Sequence, residues 1–129
     1  MFPGVLGALT QMPNSDQRTP PNSIATWVKA LFEELNDPEV LEVALTPGVR
    51  AAIVECRGAS GSIRLRTIPA PLVAGVVAKM KKLANLDVAE RRRKQRGQVR
   101  LLDFHGGPAI FEVMTGPADK SESVTLRRL

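Results

Sequence analysis

Glycine- and proline-containing turns divide the second half of the chain into short segments. The segments between them are six or seven residues long: 51–57, 62–68, 98–104, 109–115 and 123–128. This length suits strands better than helices, and the short connections favour antiparallel pairing of neighbours. Segment 62–68 alternates most clearly, because Ile63 and Leu65 fall on one face and Arg64 and Arg66 on the other. The sequence therefore predicts an antiparallel sheet of about five strands.

A helical spacing of apolar residues marks the stretch 24–35. Apolar side chains recur there every three or four positions: Ile24, Trp27, Val28, Leu31, Phe32 and Leu35. Asn22 or Ser23 is a suitable N-cap for this helix. Pro38 suits the first turn of a second, short helix, which would bury a further apolar set: Val40, Leu41, Ala44 and Leu45.

A third helix is predicted after Pro71. Its apolar stripe consists of Leu72, Val73, Val76, Val77, Met80, Leu83 and Ala84. Lys79, Lys81 and Lys82 are expected to face water. Gly75 inside this helix costs about 1 kcal/mol relative to alanine, which indicates a close approach of another element. The predicted order is α, α, β, β, α, β, β, β, an α+β fold with a single antiparallel sheet of about five strands packed against about three helices.

Residues 1–22 differ in composition from the rest of the chain. They hold four of the ten prolines and show neither helical nor strand periodicity. We expect a flexible proline-rich N-terminal arm there, followed by a single α+β domain over residues 23–129. A chain of 129 residues buries about two thirds of its extended surface on folding, which is enough for one core without disulfides or metals.

Several classes of protein are disfavoured by composition. No run approaches 18 apolar residues, so membrane insertion is not expected, and the first residues lack the basic flank of a signal peptide. A single cysteine, Cys56, precludes an internal disulfide and fits a reducing compartment, so a cytoplasmic location is expected. One cysteine and one histidine, His105, are too few for an ordinary zinc site.

Catalytic signatures are also missing from the sequence. No G-x-x-x-x-G-K-[ST] loop occurs, and the glycine-rich stretch 58–61 suits a hairpin turn. His105 lies in a glycine-rich turn with no nucleophile placed beside it. Cys56 ends an apolar strand, where a buried thiol is more typical than a reactive one. We therefore expect no enzyme activity, no cofactor and no metal.

Positive charge is concentrated in the second half of the chain. Residues 1–56 hold three basic and seven acidic side chains, whereas residues 57–129 hold fifteen basic and six acidic ones. Nine of the cations lie between Lys79 and Arg100, and such a stretch attracts phosphates or an acidic protein surface. One interpretation is nucleic-acid binding, although aromatic side chains for base stacking are few. The other is a helix with a solvated basic face, followed by a basic loop that enters a strand.

The stretch 83–92, followed by Gln95 and Gly97, resembles the ATPases that power type II secretion and type IV pilus assembly. Their pattern is K-x-L/M-A-x-L-D-I-A-E-R-R-x-P-Q-D-G-R, followed by a hairpin and R-V-S-T-x-P-T-x-x-G-E-x-V-V-L-R-x-L. Eight residues match the second part at the same spacing: Val113, Thr115, Pro117, Glu122, Val124, Leu126, Arg127 and Leu129. Segment 63–66 is similar to the family's V-R-Y-R strand. The resemblance covers about residues 50–129 and implies the second N-terminal domain of these ATPases, an α+β module ahead of the nucleotide-binding core.

Two departures from this pattern concern charge. Gln98 and Glu112 stand where the family carries arginines that are thought to reach the nucleotide phosphates. The first change removes a positive charge and the second reverses it, and a carboxylate repels a phosphate that an arginine would bind. Asp87 and Glu90 match the family, and a structural role for them at the end of the helix is favoured over a direct functional contact.

The resemblance and its departures together imply a non-catalytic interaction or regulatory domain. Its partner would be a protein, either a motor subunit, another secretion component or a second copy of the chain. The candidate interaction residues are Arg91, Arg92, Arg93, Lys94 and Arg96. Two alternatives stay open: a small basic nucleic-acid-binding protein, and a degenerate fragment of a secretion ATPase.

Overall fold

The computed structural model describes residues 23–118 and 121–129. Two helices and six strands follow one another in these residues: α1 (Ile24–Glu34), β1 (Glu42–Thr46), β2 (Ala51–Gly58), β3 (Gly61–Pro69), α2 (Ala70–Leu83), β4 (Gln95–Phe104), β5 (Gly107–Ala118) and β6 (Ser121–Arg128). The predicted N-terminal arm, residues 1–22, lies outside the described residues. No described helix is long and apolar enough to cross a bilayer.

The six strands form one antiparallel sheet in the order β3-β2-β1-β6-β5-β4. Hairpins join β2 to β3 and β4 to β5, and the predicted turn at 58–61 is confirmed as the first of them. In the second hairpin, His105 and Gly106 both have positive φ (52° and 94°), as a two-residue turn between twisted strands requires. The predicted α+β class and single antiparallel sheet are confirmed, with six strands and two helices among the described residues rather than about five and three.

The predicted second helix is wrong, because strand β1 occupies its place. Val43, Ala44 and Leu45 are all buried, and β1 lies in the middle of the sheet between β2 and β6. A short apolar run without alternation is ambiguous in sequence, and here backbone pairing on both sides decides for a strand. Leu41, expected in the core, is 56% exposed.

Strands β4 and β5 both extend at least three residues beyond a predicted end. The break expected at Gly116 and Pro117 is wrong, since β5 continues to Ala118 and Pro117 pairs with Glu122 on β6. Strand β4 begins at Gln95 rather than Gln98, so the basic stretch runs directly into the sheet. Pro117 is tolerated in β5 because it lies one residue before the end of that strand.

Both helices cover one face of the sheet, called the inner face below; the opposite face is the outer face. The predicted first helix is confirmed as α1, and the Ser23 hydroxyl accepts a hydrogen bond from the Thr26 N–H at 3.3 Å, as an N-cap does. Phe32 of α1 meets Phe111 of β5 edge to face, with ring centroids 5.0 Å apart. Helix α2 places Val73, Val76, Val77 and Met80 in the same core.

Two glycines permit close approaches that define the inner layer. A Cβ at Gly75 would lie 2.2 Å from the Ile24 Cδ1 atom, which explains the glycine inside α2 and confirms the predicted close approach. A Cβ at Gly97 would lie 2.4 Å from the Ala84 carbonyl oxygen and 2.9 Å from a Leu86 methyl group. The turn after α2 therefore lies directly on β4, and it does so only because residue 97 has no side chain.

We expect Gly97→Ala to lower the free energy of unfolding by about 1–3 kcal/mol, because a backbone carbonyl cannot move aside as a side chain can. Gly107→Ala on the neighbouring strand is the matched control, since a Cβ there meets nothing within 4 Å. Urea denaturation of both variants measures the difference. Equal stability of the two variants would show that the turn is free to shift away from β4.

Candidate functional site

The turn after α2 begins with a left-handed residue. Asn85 has φ 59°, and its N–H donates to the Lys82 carbonyl at 3.1 Å. The next N–H, of Leu86, donates to the Lys81 carbonyl at 2.8 Å. These two bonds are those of a Schellman motif, in which asparagine is the commonest alternative to glycine at the left-handed position. The L-A-N-L part of the sequence is thus a helix stop that returns Leu86 to the core.

Lys81 is fully buried, so its predicted exposure is wrong. Its ammonium group lies 2.8 Å from the Glu122 carboxylate, which is itself 5% exposed. The same ammonium donates to the main-chain carbonyls of Val88 and Glu90. All three of its N–H groups therefore have acceptors, which is the condition under which a buried lysine is tolerated.

A signal for this burial was present in the sequence. Lys81 lies four residues after Val77 and three before Ala84, so it belongs to the edge of the apolar stripe of α2. A lysine at such a position is usually interpreted as reaching out to water along its aliphatic stem. Its acceptor, Glu122, lies 41 residues away on β6, and no local pattern connects the two.

Polar side chains hold the segment between α2 and β4 in a defined shape. The Asp87 carboxylate accepts a hydrogen bond from the Ala89 N–H at 3.0 Å, and the Glu90 carboxylate accepts one from the Arg92 N–H at 2.8 Å. The Gln95 amide bonds both the N–H and the carbonyl of Asp87, each at 2.9 Å. Asp87 and Glu90 thus bond to the backbone of their own loop, the kind of contact that a structural brace makes.

The four consecutive cations of this segment project into solvent. Arg91, Arg92, Arg93 and Lys94 are exposed, and we call them the basic loop. None of the four forms an ion pair with another described residue, whereas the fifth candidate, Arg96, lies on β4 and approaches Glu112 at 3.5 Å. The structure therefore separates the predicted set into a free basic loop and one paired arginine on the sheet.

Gln98 and Glu112, which are 14 positions apart in sequence, lie directly opposite each other on β4 and β5. Both are on the outer face, since they alternate with the buried Val99 and Val113. Two guanidinium groups flank the Glu112 carboxylate, that of Arg96 at 3.5 Å and that of Arg127 at 4.0 Å. The negative charge at position 112 is therefore already matched by arginines of this chain.

Glu112 is part of a row of alternating charges that crosses five strands on the outer face. Arg57 bonds Glu42 at 2.7 Å, and Arg127 lies 3.5 Å from Glu42 and 4.0 Å from Glu112. Arg96 completes the row on β4. Each exposed pair contributes little to stability, but the row fixes where charge lies on this face.

A second polar cluster joins the end of α1 to β3. Glu34 is 8% exposed and pairs with Arg64 at 2.9 Å and with Arg66. The neighbouring Cys56 thiol is fully buried, and this burial raises its pKa, with a smaller contribution in the same direction from Glu34. A raised pKa lowers the thiolate fraction, so Cys56 has the environment of an unreactive thiol.

His105 lies outside the candidate site. Its Nε2 atom is 2.6 Å from the Glu33 carboxylate, which ties the β4–β5 turn to α1. Within the described residues, no group of three or more histidine, cysteine or acidic side chains is arranged to hold a metal ion. The candidate site thus consists of the basic loop, the buried ion pair of Lys81 and Glu122, and the row of charges on the outer face.

Comparison of the chain with models of known protein families and with curated proteins finds no match.

We expect Lys81→Met to lower the free energy of unfolding by about 3–5 kcal/mol, because it leaves the Glu122 carboxylate buried without a partner. The double variant Lys81→Met/Glu122→Leu should regain most of this stability while amide exchange at residues 88–92 stays faster than in the native chain. Lys82→Met, at the exposed neighbouring position, is the matched control and should change stability by less than about 0.5 kcal/mol. Slow exchange in the double variant would show that the loop holds its shape without the ion pair.

Proposed function

We propose that this chain is a non-catalytic interaction domain, related to the second N-terminal domain of the type II secretion and type IV pilus ATPases. Its basic loop docks on an acidic surface of a protein partner, either a motor subunit, another secretion component or a second copy of the chain. The buried Lys81 carries this proposal, because its hydrogen bonds end at the carbonyls of Val88 and Glu90, immediately before the exposed cations.

The energetics of the lysine support a presenting role for the loop. Removing an ammonium group from water costs several kcal/mol, and the sheet and helices have ample apolar residues for a core without it. What the lysine adds is a fixed backbone at residues 88–90, on which the basic loop is carried. A loop that is already ordered loses less entropy on binding, so the same charges give a tighter complex.

The roles of the pattern residues support the family relationship. Lys81 and Glu122 both stand at positions of the quoted pattern and form the buried ion pair. Gly97 is needed for the approach of the turn after α2, and Asp87 and Glu90 bond to the loop backbone. A related fold needs these residues for packing whether or not a nucleotide is present.

The environment of Gln98 and Glu112 supports the absence of nucleotide sensing. A triphosphate approaching these positions would meet the Glu112 carboxylate, and the nearest cations, Arg96 and Arg127, already pair with it. Binding a phosphate there would require breaking both contacts while the carboxylate repels the incoming charge.

We expect no measurable binding of Mg-ATP to the isolated chain at concentrations up to about 1 mM, equivalent to less than about 4 kcal/mol of binding free energy. Isothermal titration calorimetry at low salt is the measurement. A micromolar affinity for ATP would contradict the proposal that these positions no longer sense nucleotide.

We expect Arg92→Ser/Arg93→Ser to reduce capture of the native partner at least about tenfold at low salt, with the difference shrinking as salt screens the charges. The matched control is Arg50→Ser/Lys82→Ser, which removes two exposed cations that do not belong to the basic loop. Captured proteins are identified by mass spectrometry from extracts of the native host, and the affinity of each purified candidate is then measured at two salt concentrations.

A parallel titration with duplex and single-stranded DNA and RNA separates this function from nucleic-acid binding. The proposal expects no binding of the native chain to any of these four polymers at 150 mM salt. Tight binding whose affinity falls steeply with salt, and which Arg92→Ser/Arg93→Ser loses, would show that the basic loop binds a nucleic acid rather than a protein. In the capture experiment, equal capture of the partner by Arg92→Ser/Arg93→Ser and by Arg50→Ser/Lys82→Ser would show that the basic loop is not part of the docking surface.

A further inference from the structure

Strand β4 lies at one end of the sheet and, among the described residues, pairs with β5 alone. Its residues Gln98 and Arg100 are exposed, and Leu102 is 76% exposed. An edge strand of this kind offers unpaired backbone N–H and carbonyl groups to another extended chain. The other end of the sheet, β3, provides an internal comparison.

Two grooves lie beside the second half of β4, between Gln98 and Phe104. A groove of about 510 Å³, called the helix-side groove, lies between the helices and β4 and is lined by Val28, Phe32, Leu83, Leu101 and Phe104 among others. A second groove of about 670 Å³, called the end groove, is lined by Gln98, Pro108, Ile110 and Leu129 among others. Arg100 and Leu102 line both grooves.

We propose that the β4 edge binds an extended segment of a partner protein as a seventh strand. Successive side chains of a strand point to opposite faces, so a segment paired with β4 would place alternate side chains toward the helix-side groove and the end groove. Backbone hydrogen bonds would supply affinity, and the two grooves would select side chains. This inference rests on the proposed interaction function and names the class of partner.

The charges around the grooves select an acidic segment. Lys29, Lys79 and Arg100 stand around the helix-side groove, and Arg100 and Arg128 around the end groove. Two carboxylates oppose them: that of Glu33, which bonds His105 at 2.6 Å, and that of Asp103. The apolar floor of the helix-side groove and the surplus of cations fit a segment in which apolar and acidic residues alternate.

The basic loop lies at the other end of β4 from the two grooves. Arg91 lines a small pocket with Ser121 and Glu122 of β6, and a Cβ at Gly116 of β5 would lie 3.3 Å from the Lys94 Cγ atom. The basic loop and the β4 edge are therefore two separate candidate surfaces, which mutations can test one at a time.

The probe for this proposal is a synthetic nine-residue peptide in which glutamate and valine alternate. We expect it to slow amide exchange at some of residues 98–102 at least about tenfold, while exchange in β3 is unchanged. The control peptide has the same composition with its valines and glutamates in two blocks, which keeps the charge but loses the alternation. Equal protection by both peptides, or binding that leaves β4 exchange unchanged, would overturn the proposal.

Matched variants test the same edge. Arg100→Ser/Leu102→Ser should weaken binding of the alternating peptide at least about tenfold. Arg50→Ser/Leu65→Ser also removes one exposed arginine and one exposed leucine, but next to β2 and on β3, and it should bind as the native chain does. Circular dichroism confirms that each variant is folded, and equal binding by the two variants would overturn the proposal.

The basic-loop variant distinguishes a failure of this inference from a failure of the proposed function. If Arg92→Ser/Arg93→Ser loses the native partner while the alternating peptide leaves β4 exchange unchanged, the interaction function stands and the seventh strand is refuted. If the peptide protects β4 and the loop variant captures its partner normally, the edge proposal stands and the role of the loop is refuted.

Discussion

The ion pair between Lys81 and Glu122 is the interaction on which the organisation of this molecule depends. It joins the last turn of α2 to the first residues of β6, two elements far apart in the sequence, at a depth where neither charge is stable alone. Because the ammonium group also bonds two carbonyls of the following segment, one side chain positions a helix, a strand and a loop. Apolar packing sets where the layers lie, and this pair determines how the basic loop leaves them.

Much of the fold could be predicted from local patterns, and the errors have a common physical cause. The alternation in β3 and the apolar stripe of α1 are properties of single segments, so the sequence was sufficient for them. A helix was predicted in place of β1, whose pairing with β6 decides for a strand, and Lys81 was predicted to be exposed, although its bond to Glu122 holds it in the core. Both partners lie about 40 or more residues further along the chain. Local propensity is a weak guide wherever such distant partners decide the outcome.

The candidate site shows the same division. The basic loop is visible as a run of charge in the sequence, and the bonds of Asp87 and Glu90 are local, so both features lie within reach of short-range reasoning. The opposition of Gln98 and Glu112 depends on the register of β4 against β5, and the grooves beside β4 depend on where the helices end over the sheet. Neither register nor groove shape is encoded in a single segment, which is why the edge of the sheet became a candidate surface only in three dimensions.

The central position of β1 and β6 has a consequence for how the molecule is made. Val43 of β1 pairs with Leu126 of β6, so the middle of the sheet is completed by residues separated by most of the described chain. During synthesis the hairpin of β2 and β3 can form early. Strand β1, however, gains its second neighbour only when β6 has left the ribosome. Until then one edge of β1 has no backbone partner, and an unpaired strand edge is a site at which nascent chains associate.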